Sequence, residues 1–387
     1  MITYILSHPI QYFSPLLKQL AKETDIEVYY FSDSSIRGAL DKGFGKAIVW
    51  DTPLLEGYPY RFLKNYSKAT TKDNRFWDVI NPGVINSIRK TKSKIIVVNG
   101  WSYSSFWLAI IAGRIFGKEI WLRAENPLNQ ELCKSKKTIL LKKIFLKHFL
   151  FRFLIDKFLF IGRQSKLFFE YYGVSSRNLI FTPYAVDNHF FQQQALENQR
   201  KKEIIRKSLG IRTDAKVILF SGKYISKKRP LDLIRAYERI INSNTILLMV
   251  GEGKLRTEME AYIKDRDLKD VILTGFVNQS EISKYYAIAD VFVMCSGMGE
   301  TWGLSVNEAM NFSLPVIVSD TCGCSYDLVK HGENGFVFKE GDIDALCNYL
   351  NVILQNNLMA NEMGQKSLEI INDYSILTIT RNILLAI

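Results

Sequence analysis

Cysteine and histidine are scarce in this chain of 387 residues. The five cysteines (Cys133, Cys295, Cys322, Cys324 and Cys347) are odd in number and form no CxxC pair, and none of the four histidines (His8, His148, His189 and His331) adjoins Cys322-Gly323-Cys324. That spacing argues against a disulfide framework and a zinc site and fits a reducing cytosol. Cys322-Gly323-Cys324 can be read as a metal or redox pair, or as buried thiols in a loop. No run of 18 apolar residues occurs, so no membrane-spanning helix is expected. The opening Met1-Ile2-Thr3-Tyr4-Ile5-Leu6-Ser7-His8-Pro9 lacks a basic n-region, and its apolar run is short, so no secretory signal is expected. Patterns of the RRM, KH or zinc-finger kind are also missing, and the basic residues do not interleave with a base-stacking motif, which argues against a nucleic-acid partner.

What is present is the composition of a folded protein. Hydrophobic residues make up 47% of the chain, which excludes disordered and low-complexity classes. Lys and Arg number 51 against 39 Asp and Glu, a formal charge of +12, so an anionic partner is called for: phosphorylated substrates or an anionic lipid surface. Length suggests two domains, each able to bury its own core.

Short β-branched runs alternate with longer helical patterns from end to end, the signature of parallel α/β sheets. Strands are predicted at Ile2 to Leu6, Ile26 to Phe31, Ile95 to Val98, Ile120 to Leu122 and Phe158 to Ile161, with helices at Phe13 to Lys22, Tyr103 to Phe116 and Gln164 to Tyr172. The stretch from Asp33 to Asp78 is irregular and rich in Gly, Lys and Tyr, and reads as loops near a site. After Thr182-Pro183-Tyr184 the chain turns polar, which places a linker near residues 183 to 215. A second series follows, with strands at Lys216 to Phe220, Thr245 to Val250, Val271 to Leu273, Val291 to Met294 and Pro315 to Val318. The expected architecture is α/β, with two tandem Rossmann-like doubly wound domains facing across a cleft. The domains are 1–185 and 186–373, and a terminal helix, 374–387, packs back on the first. Ligands of such folds bind at the carboxyl ends of the strands.

Three segments carry chemistry. Gly299-Glu300-Thr301-Trp302-Gly303-Leu304-Ser305-Val306-Asn307-Glu308 follows a strand and opens a helix. Free N–H groups around Trp302, Gly303 and Leu304 can receive a phosphate, Gly303 allows close approach, and Glu300 and Glu308 can accept hydrogen bonds from sugar hydroxyls. Ser221-Gly222-Lys223-Tyr224-Ile225-Ser226-Lys227-Lys228-Arg229 leaves another strand, and two of its cations can neutralise a diphosphate; the alternative is a solvated basic loop. Gly251-Glu252-Gly253 lacks the third glycine of a dinucleotide fingerprint, Arg256 standing in its place. Asp265-Arg266-Asp267 matches a metal-binding DxD pattern but falls at a charged helix end and reads as solvated.

Gly222-Lys223 with Lys228, Gly251-Glu252-Gly253, Gly275-Phe276-Val277, Glu300 to Glu308, Leu314 to Val318 and Asn334-Gly335-Phe336, taken in order, resemble the family-4 retaining glycosyltransferases of GT-B fold. The resemblance implies a nucleotide-diphosphate sugar as donor, with no metal or other cofactor. Lys223 and Lys228 would face the diphosphate, Lys223 where the family usually has arginine, and Arg229 stands where a glycine often follows the lysine. Glu308 would bind the ribose, and Glu300 would contact the donor sugar near the anomeric carbon. The backbone from Thr301 to Leu304 would lie on the phosphates, Gly251 in the donor loop, and Phe276-Val277 against the base. The first half departs from the family: where many members have a glycine-rich turn after the first strand, this chain has Ser7-His8-Pro9-Ile10-Gln11, and His8 and Gln11 are candidates on the acceptor side, His8 being a catalytic or a purely structural residue. Arg123 and Glu125 are candidates too, or else a loop salt bridge, with Glu125 counted among the catalytic candidates.

Residues 134–160 hold Lys134, Lys136, Lys137, Lys142, Lys143, Lys147, Arg152 and Lys157 against Asp156 alone, with Leu, Ile and Phe between them. This reads as a basic helix on an anionic membrane, or as a packed helix with snorkelling lysines. Lys136, Lys143 and Lys147 share one stripe, whereas Lys142 and Arg152 fall off it. The function expected is transfer of a sugar, with retention, to a hydroxyl of a lipid-linked saccharide in bacterial surface polysaccharide assembly, by a cytoplasmic protein peripheral to the inner membrane face. The alternatives are a transferase acting on a free sugar, sugar phosphate or other small acceptor, and a nucleotide-sugar epimerase of the same fold.

Overall fold

The computed structural model describes residues 1–387 apart from Ala39, Lys42, Ile48, 68–74, Asn242 and Ser243. In chain order the strands are β1 (Ile2–Leu6), β2 (Ile26–Tyr30), β3 (Leu40–Asp41), β4 (Lys46–Ala47), β5 (Tyr60–Phe62), β6 (Ile95–Asn99), β7 (Glu119–Ala124), β8 (Lys157–Phe160) and β9 (Leu179–Phe181), then β10 (Lys216–Ser221), β11 (Thr245–Val250), β12 (Val271–Leu273), β13 (Val291–Met294), β14 (Val316–Ser319) and β15 (Gly335–Phe338). Among the described residues they form a seven-stranded sheet, β5-β2-β1-β6-β7-β8-β9, a six-stranded sheet, β12-β11-β10-β13-β14-β15, and the hairpin β3-β4. Pairing within both large sheets is parallel.

The central strands β1 and β11 are buried along their whole length, because helices cover both faces of a parallel sheet, and this is why their sequences are nearly continuous apolar runs. Each sheet reverses its strand order at one place, between β1 and β6 in the first and between β10 and β13 in the second. At such a reversal the connections leave in opposite directions and open a crevice at the carboxyl ends. His8 follows β1; Lys223 and Lys228 follow β10; Glu300 follows β13.

The chain divides into two compact units. One comprises residues 1–39, 48–183 and 376–387, and the other 40–47 and 184–375. Against the expected limits of 1–185 and 186–373, the hairpin β3-β4 joins the second unit although it lies early in the chain. The last helix, Ile376–Leu384, belongs to the first unit and packs on the helix Ser14–Glu23. Asn382 Nδ2 donates to the Phe181 carbonyl at 2.8 Å, and Lys157 Nζ to that of Ala386 at 2.7 Å.

Two sequence readings are corrected. The polar stretch expected as a linker carries the helices Asn188–Gln199 and Lys202–Ser208. Asp187 caps the first of them through the Phe190 N–H, and Phe191 and Ile205 are buried, so a few apolar positions suffice to fix helices whose other faces are polar. The basic helix stops at Leu154, short of residue 160: Lys136–Phe145 is α-helical, Leu146–Leu154 continues in wider π-helical turns, and β8 begins at Lys157.

Candidate active site

In the second unit the backbone locks the basic turn before any side chain acts. The Gly222 N–H donates to the Val250 carbonyl, the Tyr224 N–H to that of Glu252, and the Leu255 N–H to that of Tyr224. The turns after β10 and β11 thus run backbone against backbone. A Cβ on Gly251 would lie 1.8 Å from the Gly222 oxygen, and one on Gly253 2.5 Å from the Tyr224 oxygen. Gly251-Glu252-Gly253 is glycine-rich for this close approach, and Arg256 bonds Glu252 and Glu260. The result is a Lys223 held on a rigid turn, its ammonium 4.6 Å from the centroid of the Phe44 ring.

Glu300 is buried and lies 2.5 Å from Lys228 Nζ and 3.5 Å from Lys227 Nζ. Burial alone would raise its carboxyl, but the two ammonium groups outweigh that and hold it below the ordinary carboxylate value. The Gly297 N–H donates to the Lys227 carbonyl at 2.8 Å, tying the β10 and β13 loops together. Arg229, at the position where the resembled family often has glycine, takes the left-handed conformation (φ 49°, ψ 47°). Ion pairs with Asp232 at 2.5 Å and Glu340 at 3.1 Å hold it there.

The helix Leu304–Met310 begins after Gly303, whose φ is 105°. A Cβ there would lie 2.9 Å from Cys322 Sγ, so packing as well as backbone geometry requires the glycine. Cys322 and Cys324 are buried thiols, 3.7 Å apart, and burial pushes the Cys324 thiol well above its usual value. Cys322-Gly323-Cys324 forms the floor of the glutamate loop: the Gly323 N–H donates to the Glu300 carbonyl, the Cys324 N–H to that of Trp302, and a Cβ on Gly323 would lie 1.9 Å from the Thr301 oxygen. Trp302 is buried and donates through Nε1 to Asn307 at 2.8 Å. Glu308 is buried one turn along the helix and accepts 2.6 Å from the Tyr286 hydroxyl. Phe276, followed by Val277, leaves β12 through Gly275 and meets Phe44 edge-on at 5.0 Å.

The fold thus gathers Gly222, Lys223, Lys228, Gly251, Glu300 and the Thr301-to-Leu304 turn onto loops of one sheet. Sequence reasoning did not single out Phe44, Tyr286 or the role of Lys227 on Glu300. The Lys227-Lys228 doublet was a signal for the last; nothing local marks the other two. Asp265 and Asp267 are exposed and pair loosely with Arg266 and Lys269, as read from the sequence.

In the first unit, Arg123 at the end of β7 is buried; its Nη1 lies 3.0 Å from Glu125 Oε1, and its guanidinium stacks 4.7 Å from the centre of the Phe13 ring. The structure therefore contains the salt bridge that was one reading of this pair. His8 Nδ1 is 2.9 Å from Ser7 Oγ. Gln11 Oε1 is buried without a hydrogen-bond partner among the described residues.

Residues 201–369 match the family model described as glycosyl transferases group 1. The matched residues all lie in the second unit, which is therefore similar to that family. An uncharacterized glycosyltransferase of Methanocaldococcus jannaschii is 36% identical over 132 residues, covering 34% of this chain and 33% of that protein. The alpha-monoglucosyldiacylglycerol synthase of Acholeplasma laidlawii is 32% identical over 162 residues, 40% of this chain and 38% of the other. The similarity thus spans well under half the length of these curated relatives. Among solved structures, HepE of Anabaena in complex with UDP and glucose aligns over 100% of this chain and 98% of its own with a TM-score of 0.74 at 16% identity. That likeness establishes the fold, the tandem α/β architecture of the GT-B class.

Proposed function

We propose that the protein is a retaining glycosyltransferase that moves a sugar from a nucleotide-diphosphate donor to a hydroxyl of a lipid-linked saccharide at an anionic membrane surface. The observation that carries this reading is the buried Glu300 with Lys228 and Lys227 at the strand-order reversal of the unit that matches the family. Lys223 and Lys228 supply the positive charge on which a leaving diphosphate is stabilised, and the proposal calls for no metal. Glu308 accepts the ribose hydroxyls. Glu300 orients the donor sugar as the bond from its anomeric carbon to the phosphate oxygen breaks. The acceptor oxygen bonds to that carbon on the same face, and its proton passes to the departing diphosphate. His8, Gln11, Arg123 and Glu125 belong to the acceptor side.

Support for a membrane-bound acceptor comes from residues 136–154. Leu140, Leu141, Ile144, Phe145, Phe149 and Phe153 are exposed, and the helix Lys136–Phe145 has no buried residue. Among the described residues no helix is long and apolar enough to cross a membrane. An apolar face flanked by Lys136, Lys143, Lys147 and Arg152 suits the surface of an anionic bilayer. The relative from Acholeplasma laidlawii, named for a glucosylated diacylglycerol, points the same way.

The test is incubation of the purified protein with UDP- and GDP-sugars and vesicles carrying lipid-linked saccharides, following the anomeric proton by NMR. Transfer with an unchanged anomeric configuration is expected. An inverted product, or conversion of the donor sugar without any acceptor, would overturn the reading.

A further inference from the structure

The irregular stretch between Asp33 and Asp78 contains a feature that the function above does not use. The hairpin β3-β4 belongs by its contacts to the second unit, although some 140 residues of chain assigned to the first unit (48–183) intervene. Its tip presents Phe44, flanked by Gly43 and Gly45. One contact of that ring is the Lys223 ammonium, 4.6 Å from its centroid, and another is Phe276, edge-on at 5.0 Å. Lys223 and Phe276 leave different strands, β10 and β12, separated in the sheet by β11. One aromatic ring thus bridges the residue proposed to face the diphosphate and the residue proposed to lie against the base.

We propose that Phe44 is a positioning residue of the donor site, which fixes the Lys223 ammonium toward the diphosphate and walls the nucleoside side at Phe276. This inference rests on the donor-site reading of the second unit. The physical basis is the ring quadrupole. A cation over an aromatic face is attracted by the ring itself, a contact that brings no opposite formal charge to compete with a phosphate. The lysine at this position lacks the planar fork of arginine and has more freedom about its stem. An aromatic face over the ammonium restricts that freedom and gives a lysine some of the pre-organisation that an arginine carries in its own geometry. Residues without side chains, Gly43 and Gly45, flank Phe44 in sequence.

The experiment is calorimetric titration of the full chain with UDP, GDP, ADP and inorganic pyrophosphate, using wild type, Phe44→Ala, Phe44→Tyr, Lys223→Ala and the double variant Phe44→Ala/Lys223→Ala. With the nucleotide that wild type binds, Phe44→Ala is expected to lose about three- to tenfold in affinity, in line with a cation–π contact. Phe44→Tyr, which keeps the ring, should stay close to wild type. Pyrophosphate should weaken in Phe44→Ala, and that loss should vanish in the Lys223→Ala background. In turnover, the donor KM should rise with kcat little changed. Nucleotide affinity in Phe44→Ala that is equal to or tighter than wild type, while Lys223→Ala is weakened, would overturn the role of Phe44 and leave the donor site standing. Absence of binding by wild type to every nucleotide would remove the donor-site reading and this inference with it.

Discussion

At the residue scale, Glu300 and Lys228 form an ion pair in which ammonium charge, against burial, fixes the direction of the carboxyl's shift. The carboxyl lies below its usual value because two ammonium groups outweigh the cost of burial, so the folded state favours the charged form. That contribution to stability is fully present above the ordinary value of 4.5 and is lost as pH falls through the lowered folded value. Lys228→Ala is therefore expected to cost roughly 2 kcal/mol in urea unfolding near neutral pH, as loss of a charge-assisted hydrogen bond does. The difference from wild type should shrink as pH drops below the carboxylate range; a pH-independent difference would contradict the pairing. Arg229 offers a second check. Both Arg229→Gly and Arg229→Ala remove the ion pairs to Asp232 and Glu340, but only glycine relieves the left-handed backbone. The glycine variant is expected to be the more stable of the two by about 1 kcal/mol in the same measurement. The glutamates and lysines of this site were legible in the sequence because their spacing within two loops is local. Phe44 and Tyr286 were not: Phe44 reaches Lys223 across 179 positions of the numbering, and only the fold brings such residues together.

At the scale of elements, the basic segment shows why a charge count differs from a surface. Glu131, just before it in sequence, is a buried carboxylate that accepts from Lys134 at 2.8 Å, Lys142 at 2.8 Å and the Tyr172 hydroxyl at 2.8 Å. Lys142 fell off the basic stripe of the helix, and the structure gives the reason: it turns toward Glu131. Lys143 and Lys147 are exposed, the Lys143 ammonium 5.6 Å from the centre of the Tyr171 ring and the Lys147 stem beside Gly173. Replacing both with Glu is expected to leave thermal stability nearly unchanged and to abolish flotation with vesicles of anionic lipid, at about 1 kcal/mol of binding per lysine. Equal flotation of wild type and variant would remove the membrane from the proposal. The long apolar strands were legible from their continuous runs. The three-residue edge strands β5 and β9 were not: Tyr60-Arg61-Phe62 lacks the β-branched run that marks Val271 to Leu273, and both are fixed by pairing to β2 and β8. Likewise, the helices at 188–208 looked like a linker because their buried residues are few.

At the scale of the whole molecule, two sheets with the same pattern of strand order each place chemistry-bearing residues on loops at their carboxyl ends. This was readable from the alternation of strands and helices; the return of residues 376–387 to the first unit and the early hairpin's membership of the second are tertiary facts. The central proposal is that the second unit binds a nucleotide diphosphate through Lys223, Lys228, Glu300 and Glu308. It is tested most directly by calorimetric titration with UDP, GDP, ADP and CMP, repeated on Glu308→Ala and Lys223→Ala. One nucleotide is expected to bind, with each variant weakening it about tenfold or more, the loss expected for one charge-assisted hydrogen bond. No binding at millimolar concentration, or binding that neither variant alters, would contradict the assignment of this unit as the donor site.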